Sequence, residues 1–316
     1  MDRAAGESFK QWLAREAMAQ GFARVGFASC EPFHAERARL EAWFAQEGAA
    51  LLPYLRPEAL LDPARVMPGA ATAMVGFFPY ARPEAVPGAA PDSLRLSRYL
   101  WGPDYHRILK PRLKALLAKA QELEPGLRGR VCVDTAPLME RQLAVRAGLG
   151  WQGKHTLLIT PWQGGRGGSW GFLGVLLLDR ALPPDRPGAE HCGHCTRCLS
   201  ACPTGALAPF RLDPGLCLTT YTVETEAGPP APVLRALALS GWAAGCDICQ
   251  EVCPWNRAPL WGDPALWGGT SPLHTQPAPQ AAMGVGRWQS LTRGTALRRV
   301  RHRHWLATVL RIRGSF

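Results

Sequence analysis

The sequence predicts an α/β (α+β) N-terminal domain, a ferredoxin-like segment holding two [4Fe–4S] clusters, and a short basic helical C-terminal segment. Three observations predict it. Helical and strand-like apolar patterns alternate through the first half of the chain; eight of ten cysteines lie between residues 192 and 253; and eight arginines, with no acidic residue after Asp263, close the chain.

Residues 9–20 place Phe9, Trp12, Leu13 and Met18 at helical spacing and stop at Gly21. Residues 23–28 read as a strand, 32–46 as a second helix and 71–78 as a buried strand, followed by a Pro-rich loop to Pro91. A basic amphipathic helix is expected over 104–123, a strand over 130–133 ending at Asp134, and a helix over 137–147 stopped by Gly148. Strands over 156–160 and 170–179 complete the core. This alternation indicates an α/β domain. Pro183, Pro184 and Pro187 mark a linker, so the expected divisions are 1–180, 181–258 and 259–316. The last contains Pro/Gly-rich sequence and a basic helix over 295–310.

Composition bounds the function. A hydrophobic content of 47% fills a substantial core, and 19% charged residues suits a soluble protein. The polar start is not a secretory leader, and the longest apolar run, 170–178, is too short to cross a bilayer as a helix. The expected location is the cytoplasm, without a membrane partner, as a monomer. Thiols stay reduced there, which disfavours disulfides. The net charge is +11, and the eight closing arginines supply +8 of it. A basic end beside a near-neutral body favours a polyanion, nucleic acid before membrane. With 31 Arg against 5 Lys, a solvated helix face in an arginine-rich chain is the competing explanation.

The cysteine spacing names the metal chemistry. Cys192-x2-Cys195-x2-Cys198-x3-Cys202-Pro203 has bacterial ferredoxin spacing, in which three thiolates hold one cubane and the fourth reaches the other. The second run, Cys246-x2-Cys249-x3-Cys253-Pro254, lacks one close cysteine, which Cys217 can supply. Crossed ligation gives Cys192, Cys195, Cys198 and Cys253 for one cluster, and Cys202, Cys217, Cys246 and Cys249 for the other. Paired zinc sites are the alternative, but zinc modules show two CxxC-type pairs separated by a long spacer. His191 and His194 read as surface histidines, Cys30 and Cys132 as buried, inert thiols.

An electron wire needs a terminus, and Val133-Asp134-Thr135-Ala136-Pro137 offers one. An acid at the carboxyl end of a strand sits where such domains gather reactive groups. Shielded from water its pKa would rise, which suits a proton donor. The plainer reading is a cap on the helix expected from Pro137. Gly150-Trp151-Gln152-Gly153-Lys154 brings a lysine into a glycine-lined turn, and no segment matches a Walker loop or Rossmann fingerprint.

Taken together these segments resemble the epoxyqueuosine reductases over nearly the whole chain. The likeness rests on Arg98-Tyr99 with Gly102-x-Asp104-Tyr105-His106, on Val133 to Pro137, and on Gly148-Leu149-Gly150-Trp151-x-Gly153-Lys154. It continues through Cys192 to Ala206, Tyr221-Thr222-Val223-Glu224, and Gly245-Cys246-Asp247-x-Cys249-x3-Cys253-Pro254-Trp255-Asn256. The resemblance implies that the N-terminal half binds cobalamin, with Asp134 as proton donor in the reduction of epoxyqueuosine to queuosine at the tRNA wobble position. It places Tyr54, Arg56, Arg98, Tyr99, Asp134, Lys154, Ser169, Thr219, Thr222 and Glu224 around the corrin or the nucleoside. It implies two partners, a tRNA with a queuosine-type anticodon and a flavodoxin- or ferredoxin-like electron donor, and gives Arg298, Arg299, Arg301 and Arg303 phosphates to contact. Departures are His155 where asparagine is expected, Val223 where isoleucine is expected, and an insertion at 163–167. Two other functions compete: a dehalogenase-like corrinoid reductase of small molecules, and a dicluster electron carrier without a corrin.

Overall fold

The computed structural model describes residues 3–55, 57–82, 94–267 and 283–314. Its centre is a sheet of four strands, β1 (Arg24–Ser29), β2 (Thr72–Pro79), β3 (Gly129–Cys132) and β4 (Gly171–Leu178), in the spatial order β1-β2-β4-β3. Every neighbouring pair is antiparallel, with Val75 opposite Val175 and Cys132 also opposite Val175 from the other side. The architecture is therefore α+β: helices alternate with strands along the chain, yet within this sheet none makes a crossover between parallel neighbours.

Strand periodicity decides which side chains go where. Met74, Phe78, Leu176 and Leu178 enter one core, beneath α1 (Arg3–Ala19) and a later long helix. Ala73, Val75, Phe77, Val175 and Leu177 enter the opposite core. All eight residues of β2 are buried, so both faces of the sheet are covered. Phe78 is 1% exposed and meets Phe22 edge-on at 5.5 Å. Truncating such a ring costs about 3–5 kcal/mol through lost transfer energy and the cavity left behind.

After α2 (Arg37–Phe44), the long helix α3 (Tyr105–Leu123) starts where Asp104 caps it, its Oδ1 accepting from the His106 N–H at 3.0 Å. The next helix, α4 (Glu140–Arg146), begins three residues later than expected. Local bonds from Thr135 N–H to the Val133 carbonyl and Leu138 N–H to the Ala136 carbonyl keep 134–139 a loop. At its other end α4 lies so close to β1 that a Cβ at Gly26 would collide with the Ala147 carbonyl.

The strand expected over 156–160 runs instead over Leu158–Gln163, in a separate antiparallel sheet between Trp151–Gln152 and Arg166–Gly168. The insertion at 163–167 is the tip of that hairpin. Gly164 and Gly165 both have positive φ (62° and 78°), as a tight two-residue turn requires.

The cysteine-rich half is joined to the first half by parallel pairing of Arg95–Leu96 with Trp242–Ala244 and by the Arg95–Glu251 ion pair at 3.0 Å. Its short helices Arg197–Ala201 and Ile248–Glu251 pack together, and α5 (Ala231–Ser240) lies between them in the chain. The expected basic helix over 295–310 is broken. A 3₁₀ turn, Ala296–Arg299, is followed by extended backbone at Val300 and Arg301, and then by α6 (His302–Ile312). The break lets Leu297, Val300, Trp305 and Val309 all bury, and α6 docks on α5 with His304 Nε2 2.7 Å from the Tyr221 carbonyl. Among the described residues no helix is long and apolar enough to cross a membrane.

Candidate active site and cysteine sites

The sheet delivers Asp134 just beyond the end of β3, after the fully buried Val133. Asp134 has φ of 59°, a left-handed backbone that costs a non-glycine residue about 1–3 kcal/mol and persists only where its surroundings enforce it. Enforcement comes from Glu140, whose Oε1 accepts the Asp134 N–H at 2.8 Å. The next residue, Arg141, donates to the Thr156 carbonyl at 2.8 Å, and Thr156 is itself left-handed at φ 73°. Asp134 does not cap α4; its side chain turns toward α3.

There it meets two groups. Tyr105 donates its hydroxyl to the Asp134 carboxylate, and His106 Nε2 lies 3.4 Å from Oδ2, an ion-pair distance longer than a normal hydrogen bond. His106 Nδ1 sits 2.8 Å from Asp104 Oδ1, so the imidazole is held between two carboxylates. Tyr105 stacks on His106 on one side and on Phe172 of β4 on the other, with centroids 4.1 Å apart in both pairs.

This geometry reverses the expected protonation. Burial alone would raise the Asp134 pKa, but the close approach of His106, the hydrogen bond from Tyr105 and the charges of His106 and Arg299 outweigh it, holding the group below the usual carboxylate range. The proton sits on His106, pushed up to about 9 by Asp104 first and Asp134 second, against desolvation. Glu140 rises to about 8, through burial and then the Asp134 charge. Crowded by these partners, the Asp134 side chain still shows 51% of its surface to solvent, so it lines an open cleft.

The opposite wall of the cleft comes from far along the chain. Glu224 Oε2 accepts from Tyr54 Oη at 3.0 Å and from the Arg299 guanidinium at 2.8 Å. Glu224 closes a π-helical turn, Thr220–Glu224, a backbone form common at functional sites. Tyr99 stands within electrostatic reach of Glu224, Arg299, Asp247 and Asp134; burial first, then Glu224, raises its phenol pKa.

The other residues singled out from sequence lie one layer back. Arg98 lays its guanidinium over Trp101 and Trp170, 5.3 and 4.9 Å from their ring centres. Lys154 Nζ donates to the carbonyls of Gly193 and Cys195 at 2.6 and 3.1 Å. Ser169 is buried between Gln250 and Asn256. Thr219 points its hydroxyl and N–H at the Cys217 sulfur, while Thr222 accepts the Gly245 N–H at 3.0 Å. Arg56 lies outside the described residues. His155, in place of asparagine, is a buried imidazole whose pKa burial lowers to about 4; its Nδ1 accepts the Leu157 N–H, as an amide oxygen would.

All ten cysteines are unpaired thiols. Cys192, Cys195, Cys198 and Cys253 line one cavity with Lys154, His155 and Trp255. Cys246 faces Cys217 and Cys202, and Cys249 faces Cys246 and Cys217. Trp151, Trp255, Trp162 and His191 form an aromatic rim over the first group. Cys30 and Cys132 are buried in the second core, their thiols pushed up to about 12 and about 11 by desolvation.

One segment ties the cleft to the second cysteine group. Buried Asp247, between Cys246 and Cys249, accepts from Ser97 Oγ at 2.5 Å and from the Arg98 N–H at 2.7 Å. Gly245, at φ 69°, packs so tightly that a Cβ would meet Ser97 at 2.5 Å and Tyr99 at 3.4 Å. Sequence reasoning quoted His106 and Asp247 inside motifs without giving either a site role, and gave Tyr105, Glu140 and Arg141 none. Of the arginines expected to face phosphate, Arg299 pairs with Glu224, and Arg301 and Arg303 pair with Glu226 at 3.4 and 2.6 Å.

Comparison with known proteins gives the family. Residues 61–135, ending just past Asp134, match the family described as epoxyqueuosine reductase QueG, DUF1730, and residues 191–256 match the 4Fe-4S double cluster binding domain. An epoxyqueuosine reductase of Synechococcus sp. (strain RCC307) is 37% identical over 305 residues, covering 93% of this chain and 90% of that protein. A selenomethionine-labelled epoxyqueuosine reductase superposes with a TM-score of 0.86 at 25% identity, covering 98% of this chain and 82% of that one. An epoxyqueuosine reductase solved with a tRNA-Tyr epoxyqueuosine-modified stem loop shares the fold at TM-score 0.80 and 24% identity, covering 98% of this chain and 82% of that one. The chain is therefore a member of the epoxyqueuosine reductase family of oxidoreductases, with a double-cluster domain in its second half.

Proposed function

We propose that the chain removes the epoxide oxygen of epoxyqueuosine at the tRNA wobble position, leaving the alkene of queuosine. The reaction takes up two electrons and two protons and releases water, so it needs an electron supply and a proton donor converging on one oxygen. The observation that carries this reading is the Ser97–Tyr99 stretch: Tyr99 stands within electrostatic reach of Asp134, while Ser97 Oγ and the Arg98 N–H donate to Asp247, between two cysteines.

The electron supply in this reading is two [4Fe–4S] clusters, one on Cys192, Cys195, Cys198 and Cys253, the other on Cys202, Cys217, Cys246 and Cys249. The donor set fits, since unpaired thiols crowd in two groups and Thr219 and Thr220 aim N–H groups at one of the sulfurs. Such N–H contacts tune cluster potentials. Their electrons would come from a flavodoxin- or ferredoxin-like donor.

Cobalamin would occupy the cleft, where its cobalt supplies the low-potential reducing centre. Hydroxyl, carboxylate and guanidinium groups of Tyr54, Tyr99, Glu224 and Arg299 suit its amide-fringed edge, and the cleft is open, with Tyr54 57% exposed. Arg98, Lys154, Ser169, Thr219 and Thr222 would act by fixing the segments around it. Asp134 would protonate the oxygen as the epoxide opens, aimed by its left-handed backbone and its bond to Glu140. The anticodon loop would present a splayed base, the usual way RNA is read. Exposed Arg293 and Arg298, beside Arg299 in sequence, would meet phosphates with a salt-sensitive affinity.

Anaerobic incubation with epoxyqueuosine-containing tRNA, with and without cobalamin, followed by nucleoside mass spectrometry, tests the proposal. Cobalamin-dependent loss of one oxygen is expected. An unchanged base from protein with full iron content would overturn it.

A further inference from the structure

The deoxygenation needs two protons on one oxygen, yet Asp134 holds one at a time and rests ionised. We propose that His106 is the positioning residue that loads Asp134, passing each proton from its Nε2 to the Asp134 carboxylate. This rests on the reaction proposed above and adds to it the source of the protons.

Geometry supports the relay. Nδ1 is fixed on Asp104 at 2.8 Å, so Nε2 is directed at Asp134 Oδ2, 3.4 Å away. The separation is long for a resting hydrogen bond and closes with a small turn of the Asp134 side chain. Tyr105 stacks on the imidazole and holds its plane. His106 Nε2 is itself buried and makes no hydrogen bond at rest, so it is recharged from water only when the Asp134 side chain, 51% exposed, turns away from it.

The charges around the imidazole set its affinity for the proton. Asp104 faces it from its own helix and Asp134 from the loop after β3; Glu140 stands behind Asp134 and Arg299 reaches Asp134 from the C-terminal segment. The two carboxylates dominate, which keeps His106 charged well above neutrality.

The step balances. The His106 N–H bond breaks as an Asp134 O–H bond forms. Asp134 then gives that proton to the substrate oxygen, first as the epoxide carbon–oxygen bond opens and again as the hydroxyl leaves as water. The two electrons come singly from the iron–sulfur donors. Neutral His106 takes its next proton from solvent.

Three variants test it. In the apoprotein, the His106 imidazole should titrate by NMR near pH 9 and move down toward its ordinary 6.5 in Asp104→Asn, a variant that retains a good helix cap. In the loaded enzyme, turnover should fall as pH rises through 9, and that alkaline limb should move downward in Asp104→Asn. His106→Gln should lose turnover about 100-fold and lose the limb. His106→Gly should recover part of its rate with added imidazole. Iron content and stem-loop affinity should stay at wild-type levels throughout. A wild-type rate and an unmoved limb in His106→Gln, or an imidazole titrating at its ordinary value, would overturn the relay. Wild-type protein that leaves the base unreduced would instead overturn the reaction, with the NMR titration still deciding whether the two carboxylates load His106.

Discussion

The cysteine region and the Asp134 cleft are built by opposite strategies. Seven of the eight clustered cysteines fall in two short runs, so the ligand sets are nearly local, with Cys217 the one addition. The cleft draws Tyr54, Tyr99, Tyr105, Asp134, Glu224 and Arg299 from across the whole chain. A cluster needs soft ligands on a loop that can wrap it, and short spacing provides that. A proton donor needs a tuned electrostatic setting, and only the finished fold can assemble one.

That contrast can be broken first at the cysteines. Cys253→Ser should abolish turnover and lower iron content by about half, because one thiolate from the second run completes the first cluster. Retention of full iron content would show that Cys253 is not a cluster ligand. Asp134→Asn should lower turnover about 1000-fold, the range for removing a general acid, while iron content and cobalamin affinity stay unchanged. Full activity in that variant would remove Asp134 from the chemistry.

A smaller effect is expected from the far wall. Arg299→Ala unpairs Glu224 in a half-buried setting and should weaken cobalamin binding or turnover about tenfold, with Arg299→Lys recovering part of the loss. Equilibrium titration of the cofactor separates the two. The smallest effect concerns stability. His106 has a raised folded pKa, so its contribution is complete below 6.5 and is lost as pH rises toward about 9. Urea midpoints measured across that window should decline in the wild type and flatten in His106→Gln.

Much of the fold was legible in the sequence because apolar runs must be covered. The strands at 24–29, 72–79 and 171–178 lie within a residue or two of their expected positions. Their antiparallel pairing was not legible, since a strand buried on both faces reads alike in either sheet type. The basic end misled: periodicity joined Leu297, Val300 and Val309 into one helix, whereas burying all of them required a break at Arg301. In the cleft, Asp134 stood out by its place after a strand, but its protonation did not. The sign depends on His106, Tyr105 and Arg299, and Arg299 lies 165 residues away. Nor were the acidic partners of the basic end legible: Glu224 pairs with Arg299, and Glu226 with the largely exposed Arg301 and Arg303.

The central claim is that the cysteine region and the cleft form one reductive unit. Electron counting tests it most directly. The cobalamin-loaded protein is reduced anaerobically with measured equivalents of dithionite, mixed with epoxyqueuosine-containing tRNA, and followed by cluster absorption and nucleoside mass spectrometry. One queuosine per two electrons drawn from the clusters is the expected result. Clusters that stay reduced while the base keeps its oxygen would contradict it.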